Sequence, residues 1–289
     1  MSTTRFPILR LLRPSHWVKN GLIFLPMLLA GLFTRIPIVV DAFIGFVSFS
    51  FMASAGYILN DILDVELDRR HVNKSNRPLA AASIPTGMAL GVAAVLLVLS
   101  VMLSWLLGYK ALLWLFVYFV LNVLYSAFLK SIRFFDIIIL SSFYLIRLFY
   151  GSAISGAELT GWFVAATTFS FITLSAHKRH LECVFSVHDT IAGRGYTRED
   201  APMLQMFSVA FAVGTLVLLT LHAFFVLNIH APVMIALINL LAAGMMFSYF
   251  GDKKNNSDDP VERILNNPLL LVMSLLFVLI YVFELMQKR

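Results

Sequence analysis

Cysteine and charge are what this chain has least of. A single Cys183 in 289 residues excludes an intramolecular disulfide framework and a thiolate metal cluster, which leaves that residue a packing role. Charged side chains make up 13% of the residues and apolar ones 60%, with a mean hydropathy of +0.85. A water-soluble domain carries about 25% charged residues, so an ordinary soluble fold is excluded. There is also no separate basic domain. Net charge is +6, yet Lys and Arg flank apolar segments, which points to membrane topology and away from nucleic acid. No small-residue cleavage site follows Arg5, Arg10 and Arg13, so no signal peptide is expected.

What the chain does have is long apolar runs. About 20 such residues suffice to cross a bilayer, and nine runs are found, at approximately 17–33, 39–62, 85–108, 111–129, 135–154, 160–180, 203–228, 231–250 and 268–286. They predict an all-α polytopic membrane protein, one domain over 1–289 with nine transmembrane helices. Long polar loops alternate with short ones, so the long loops share a side. That side and the N-terminus hold most of the cations: Arg5, Arg10, Arg13, Lys19, Arg69, Arg70, Lys74, Arg77, Lys130, Arg133, Lys178, Arg179, Arg194, Arg198, Lys253, Lys254 and Arg263. Only Arg35, Lys110, Lys288 and Arg289 fall opposite, and Arg147 lies within a span. The positive-inside rule places the N-terminus and long loops in the cytoplasm.

Chemistry concentrates in Asn60-Asp61-Ile62-Leu63-Asp64-Val65-Glu66-Leu67-Asp68, where the second span leaves the membrane. On a helix Asp61, Asp64 and Asp68 fall within about 60° of one another, while Glu66 points elsewhere. Three carboxylates on one face at a helix C-terminus repel each other and oppose the dipole. A divalent cation relieves both, and magnesium suits the site because it needs only one or two carboxylates, with water and phosphate oxygens as the remaining ligands. The simpler reading is a solvated helix end neutralised by Arg69 and Arg70.

Cations lie near this motif in the other long loops. Arg13-Pro14-Ser15-His16-Trp17-Val18-Lys19-Asn20 opens the first span, where a helix N-terminus attracts phosphate; an interfacial Trp with a snorkelling Lys is the plainer account. After span four comes Tyr125-Ser126-Ala127-Phe128-Leu129-Lys130-Ser131-Ile132-Arg133-Phe134-Phe135-Asp136. Asp136 and Arg147 share a face three turns apart. Arg147 at mid-span costs about 3 kcal/mol on insertion scales and should face the bundle interior or a wet cavity, with a buried Asp136–Arg147 ion pair as the structural alternative. Span six ends in His177-Lys178-Arg179-His180-Leu181-Glu182, followed by the turn signal Gly193-Arg194-Gly195. Of these only Lys178 and Arg179 are functional candidates; His180 and His188 read as solvent-facing. Asp259-Pro260-Val261-Glu262 reads as a capped start to a short helix ending near Leu265.

Residues 60–68 match at every fixed position the Asn-Asp-x-x-Asp-x-x-x-Asp motif of the UbiA superfamily of intramembrane prenyltransferases, and the chain resembles that superfamily over essentially its whole length. The resemblance implies a nine-helix bundle with a cytoplasm-facing active-site cavity. Members that transfer prenyl groups usually carry a second Asp-x-x-x-Asp motif after the fourth helix. Here Ile132 stands four residues before Asp136, and Lys130 and Arg133 make the loop basic. That pattern is closer to the decaprenyl-phosphate phosphoribosyltransferase branch, as are Arg13-Pro14, Trp17-Val18-Lys19-Asn20, Lys74 with Arg77-Pro78, Tyr144-Leu145-Ile146-Arg147 and Lys178-Arg179.

The resemblance implies transfer of 5-phosphoribose from phosphoribosyl pyrophosphate to a polyprenyl phosphate, releasing pyrophosphate, for cell-envelope glycan precursors at the bacterial inner membrane. Mg2+ is the expected cofactor, with Asp61, Asp64 and Asp68 as ligands. Asp61, Asp64 and Asp136 are the catalytic candidates. The substrate-binding candidates are Lys19, Asn20, Asn60, Asp68, Lys74, Arg77, Tyr125, Lys130, Arg147, Lys178 and Arg179. Homo-oligomerisation is left open. One alternative is transfer of a polyprenyl group from its diphosphate to an aromatic acceptor. Another is a transporter or lipid carrier, but that class would show broken helices or several ionisable groups near the midplane, and here Arg147 is the clear one.

Overall fold

The computed structural model describes residues 7–70, 74–186, 189–191, 193–225, 232–251 and 266–287. The expected cap at Asp259–Glu262, His188, and several cations counted for topology, among them Lys253, Lys254 and Arg263, lie outside these residues. The described residues are helical apart from turns and one isolated antiparallel bridge between Thr190 and Thr197.

In chain order, α1 (Pro7–Leu12) leads into a 3-10 helix over Pro14–Phe24, then α2 (Leu25–Leu29), α3 (Ile36–Leu63) and α4 (Val65–Arg70). They are followed by α5 (Thr86–Leu106), α6 (Tyr109–Ala127), α7 (Phe135–Ser155) and α8 (Gly161–Phe185). Last come α9 (Ala201–Phe225), α10 (Pro232–Gly251) and α11 (Pro268–Gln287). Among the described residues, five helical segments are long and apolar enough to cross a membrane: Ile36–Leu63, Thr86–Leu106, Tyr109–Ala127, Phe135–Ser155 and Arg198–Phe225.

The helices form two compact units. The first comprises Met1–Met27, Leu32–Ile132 and Ile146–Ala157; the second comprises Leu28–Gly31, Arg133–Leu145 and Glu158–Arg289. In the first, α3 packs on α5 and α6. Small residues on α3 permit the close approach: Ser48 Oγ donates to the Ser100 carbonyl at 2.8 Å and Ser100 Oγ returns a bond to the Ser48 carbonyl at 2.7 Å, with both serines fully buried. Gly56 gives Asn122 of α6 its place, since a Cβ there would lie 2.6 Å from the Asn122 amide oxygen. In the second unit α8 packs along α9, and α10 lies on α11. Cys183 is buried there among Ile137, Ala176, Tyr196 and Leu204, in the packing role its solitude implied.

The expected first span, 17–33, is not one α-helix. Proline at 26 lacks the N–H that would continue a ladder and sits in the first turn of α2, which begins at Leu25. The segment before it is held by side chains and by one backbone contact. Trp17 Nε1 donates to Ser54 Oγ at 3.0 Å and Asn20 Nδ2 to Ser50 Oγ at 2.9 Å. The Ile23 carbonyl lies against Gly151 of α7 where a Cβ would otherwise be. Gly151→Ala should therefore lower the unfolding midpoint of the purified protein, by the equivalent of about 1–3 kcal/mol for overpacking. Gly21→Ala, where nothing lies within 4 Å of an added Cβ, is the control that should leave it nearly unchanged.

Candidate functional site

The aspartate motif straddles a helix break. α3 ends at Leu63 and Asp64 adopts φ −96°, ψ 7°, so the three aspartates are not on one uninterrupted helix. Backbone bonds from Asp64 N to Asn60 O (2.9 Å) and from Asp68 N to Asp64 O (2.8 Å) carry the i→i−4 pattern across the break. The shared face largely survives, but the carboxylates divide. Asp61 and Asp68 are buried (2% and 4% exposed) and bridged by one guanidinium: Arg77 Nη1 donates to Asp61 Oδ1 at 2.9 Å and to Asp68 Oδ2 at 2.6 Å. Asp64 turns to Lys130, whose Nζ lies 2.5 Å from Oδ1. Arg69 does not neutralise the motif; it pairs with exposed Glu66 at 2.7 Å, the acid that periodicity set aside.

Asp61 has a second cation that sequence reasoning quoted but did not assign to the site. Arg13 Nη2 donates to both Asp61 oxygens at 2.6 Å, and its guanidinium lies over the Tyr57 ring, 5.3 Å from the centroid. The backbone at Arg13 is left-handed, φ 51° and ψ 59°, a conformation that costs about 1–3 kcal/mol in a non-glycine residue. Anchors on either side impose it. Leu11 is fully buried, the Leu12 carbonyl accepts from Ser54 Oγ at 2.7 Å, and Trp17 clamps the same serine. The Arg13-Pro14 dipeptide was the available signal. A residue before proline is displaced from the ordinary helical region, but nothing local names Asp61 as the partner.

Arg77 reaches the motif because its loop is nailed to the core. Leu79 and Ile84 are each 4% exposed and pack with Leu11, Ile58, Ala89 and Leu96. The turn is closed by Ala81 N to Arg77 O (2.8 Å) and Ser83 N to Pro78 O (2.9 Å).

The remaining candidates of this unit lie on several elements. Lys74 is half-buried on a 3-10 turn, Lys19 half-buried before Asn20, and Tyr125 buried on α6. Asn60 lends its carbonyl to Asp64. Arg147 is 3% exposed; its Nε donates to Asn20 Oδ1 at 2.8 Å, and its guanidinium lies 5.1 Å from the Phe49 ring centroid and 5.4 Å from that of Tyr118. It faces the interior, as its cost in lipid requires, and through Asn20 it braces the irregular first segment.

Asp136 and Arg179 belong to the other unit and to each other. Asp136 is fully buried, with Oδ2 taken by Arg179 Nε and Oδ1 by the Tyr196 hydroxyl at 2.6 Å. The pairing with Arg147 that spacing allowed is not what holds Asp136. Residues 11 apart are separated by about 16 Å along a helix. Arg179, 1% exposed, also pairs with Glu182. Lys178 beside it is half-buried.

Tyr196 is the residue this unit turns on, and nothing in its local sequence marks it. Its hydroxyl accepts from Phe134 N at 2.7 Å while donating to Asp136, and Phe134 sits at φ 63°. Burial first, then the Asp136 hydrogen bond, pushes this hydroxyl above its ordinary pKa. Arg133 adds a bond to the Gly195 carbonyl at 2.7 Å and an ion pair with Asp200, which caps the turn into α9. Tyr196→Phe should leave Asp136 Oδ1 and Phe134 N each short of a partner. The expected cost is about 1–3 kcal/mol, read as a lowered unfolding midpoint with unchanged helix content.

Magnesium can be tested against this donor set. Among the described residues no three Asp, Glu, His or Cys side chains converge as a ready-made ligand group. A hard cation that completes its shell with water and phosphate oxygens does not need three. Asp61 and Asp64 supply oxygen ligands of the required kind, and each already attracts cationic side chains to 2.9 Å or less. The chemistry fits.

The chain is 38% identical over 180 residues to the decaprenyl-phosphate phosphoribosyltransferase of Corynebacterium glutamicum, a stretch covering 61% of this chain and 54% of that protein. It is 32% identical over 213 residues to the uncharacterized protein y4nM of Sinorhizobium fredii, covering 73% and 41% respectively. It thus spans about half the length of the curated relatives it matches. The structure of a UbiA homolog from Archaeoglobus fulgidus bound to GPP and Mg2+ superposes with a TM-score of 0.69 over 97% of this chain and 99% of that one, at 22% identity, which establishes the shared fold. The model of the UbiA prenyltransferase family matches residues 22–267, and the chain belongs to that family.

Proposed function

We propose that this protein transfers 5-phosphoribose from phosphoribosyl pyrophosphate to a polyprenyl phosphate, with the aspartate motif on the cytoplasmic side of a bacterial inner membrane. The observation that carries the reading is Lys130. In the loop where a prenyl-transferring relative would present a second pair of acids, this chain keeps Asp136 but has Ile132 four residues before it, and it presents the cation of Lys130 at 2.5 Å from Asp64. A cation there repels a second metal and attracts phosphate. The name of the Corynebacterium relative states the same kind of acceptor, a polyprenyl phosphate, and the same transferred group, phosphoribose.

The substrates account for the charges. A pyrophosphate, a 5-phosphate and an acceptor phosphate bring more anionic groups than one carboxylate-bound cation neutralises, so Lys130 and Arg77 are assigned to phosphate oxygens, where charge-assisted bonds are strongest. Asn60 orients the donor. Asp61 and Asp64, with Asp68 as a further candidate, would hold magnesium, which when bound would supply Lewis-acid stabilisation of the departing pyrophosphate. The acceptor phosphate is already anionic near neutral pH, so no strong general base is required. Its oxygen attacks the anomeric carbon, the bond to pyrophosphate breaks, and pyrophosphate leaves with the electron pair. The centre is oxocarbenium-like and the configuration inverts, as in single-displacement glycosyl transfer. The protein contributes alignment and charge.

Lys130→Glu should lower kcat/KM for the sugar donor by about 10- to 150-fold, the equivalent of one charge-assisted hydrogen bond of about 1.5–3 kcal/mol. Pyrophosphate release that depends on both phosphoribosyl pyrophosphate and polyprenyl phosphate is the assay. Unchanged turnover in this variant would remove Lys130 from the site. The second reading, prenyl transfer to an aromatic acceptor, is favoured by the family's name and by the GPP bound to the Archaeoglobus homolog. The same assay with prenyl diphosphate as donor separates the two.

A further inference from the structure

Each aspartate of the motif is matched by a cation brought from elsewhere in the chain. Asp61 receives Arg13 at 2.6 Å and Arg77 at 2.9 Å, Asp68 receives Arg77 at 2.6 Å, and Asp64 receives Lys130 at 2.5 Å. Three carboxylates face three cations, so the cluster is formally neutral. The cations come from three separate stretches: the strained turn at Arg13, the loop plugged into the core by Leu79 and Ile84 behind Arg77, and the turn over Leu129–Ser131 after α6. None of these pairs is a neighbour pair on one helix, so none arises from ordinary helix-surface charge pairing.

Neutrality makes the cluster a poor site for a bare divalent cation, which would have to enter among three positive side chains and take carboxylate oxygens they already hold. It also makes it a poor site for a bare phosphate anion, which would meet three carboxylates. The two together are accommodated if partners are exchanged. We propose that Arg13, Arg77 and Lys130 are internal counterions that hold the motif aspartates until a phosphorylated substrate arrives, then transfer to its phosphate oxygens and release the carboxylates to magnesium. The inference rests on reading the motif as a magnesium site and adds the regulation of that site: metal and anion enter as a coupled pair.

The signature is a split in sign. Removing one of these cations should tighten metal binding in the absence of anion and weaken anion binding in the absence of metal, whereas a merely structural role would weaken both or neither. The test uses the full chain in detergent, with Mn2+ titrated by electron paramagnetic resonance as the magnesium surrogate and inorganic pyrophosphate titrated separately by calorimetry without metal. The proteins are wild type, Arg77→Gln, Lys130→Met and Asp61→Asn. Lys130→Met is the safer variant, because Lys130 and Asp64 both keep solvent contact (15% and 20% side-chain exposure). Unfolding midpoints are recorded alongside. Mn2+ affinity in Arg77→Gln and Lys130→Met should rise about fivefold or more, within the range of ordinary site-to-site coupling, while pyrophosphate affinity falls and Asp61→Asn loses Mn2+. Asp61-dependent Mn2+ binding that is unchanged or weaker in both cation variants would overturn the exchange and leave the metal reading intact. No Mn2+ binding in wild type or in either cation variant would overturn the metal reading and the exchange with it.

Discussion

Asp61→Asn is expected to abolish transfer and also to destabilise the protein, whereas Asp64→Asn is expected to abolish transfer alone. Both carboxylates are assigned to magnesium, and a single electrostatic contact to a transition state is worth about 10²–10³ in kcat, so each variant should fall at least a hundredfold. Their structural environments differ. Asp61 is 2% exposed and accepts from two guanidiniums. An amide there leaves Arg13 and Arg77 facing a neutral group. Breaking a buried ion pair costs about 3–5 kcal/mol, and because the two arginine side chains keep 18% and 24% exposure the loss should sit at the low end or below. Asp64 keeps 20% exposure and has one lysine, so its pair should be worth about 1 kcal/mol or less. Initial rates and unfolding midpoints for the two variants check both halves. Full activity in either, or in excess chelator, contradicts the assignment.

Arg179→Met carries the second large effect. The guanidinium is 1% exposed and holds Asp136, itself fully buried, together with Glu182. Without it Asp136 keeps only the Tyr196 hydroxyl, and a lone buried carboxylate is among the costliest groups to leave behind, about 3–5 kcal/mol. The unfolding midpoint should drop accordingly. Replacing both partners, Arg179→Met with Asp136→Leu, should recover much of it, because apolar residues of similar volume often substitute for a buried pair without loss. If the double variant is no more stable than the sum of the singles, the two residues are not coupled and the ion-pair account fails.

The helices were legible because apolar runs of 19 to 28 residues stand out against a chain with so few charges. Residue spacing also separated Glu66 from Asp61, Asp64 and Asp68, and the structure gives Glu66 its own partner in Arg69. What spacing could not show is who answers each charge. Asp61 is answered from 48 residues away by Arg13, Asp64 from 66 residues away by Lys130, and Asp136 from 43 residues away by Arg179. Those pairings are products of tertiary packing, and no local period encodes them. The irregular first segment escaped detection for a related reason. Its 3-10 geometry is held by Ser50, Ser54 and the bare backbone of Gly151, which lie on other helices. Arg147 marks the boundary between the two cases. Its need to face inward follows from the cost of charge in lipid, but its seat between Phe49 and Tyr118 does not.

The central claim is the identity of the donor, and one measurement addresses it directly. Purified protein in detergent with Mg2+ is given radiolabelled phosphoribosyl pyrophosphate and polyprenyl phosphate, and in parallel radiolabelled prenyl diphosphate with an aromatic acceptor, and the organic phase is analysed for labelled lipid. The account predicts labelled phosphoribosyl lipid in the first reaction, lost with Asp64→Asn, and no prenylated aromatic product in the second. Prenylated aromatic product with no phosphoribosyl lipid under any condition would contradict it.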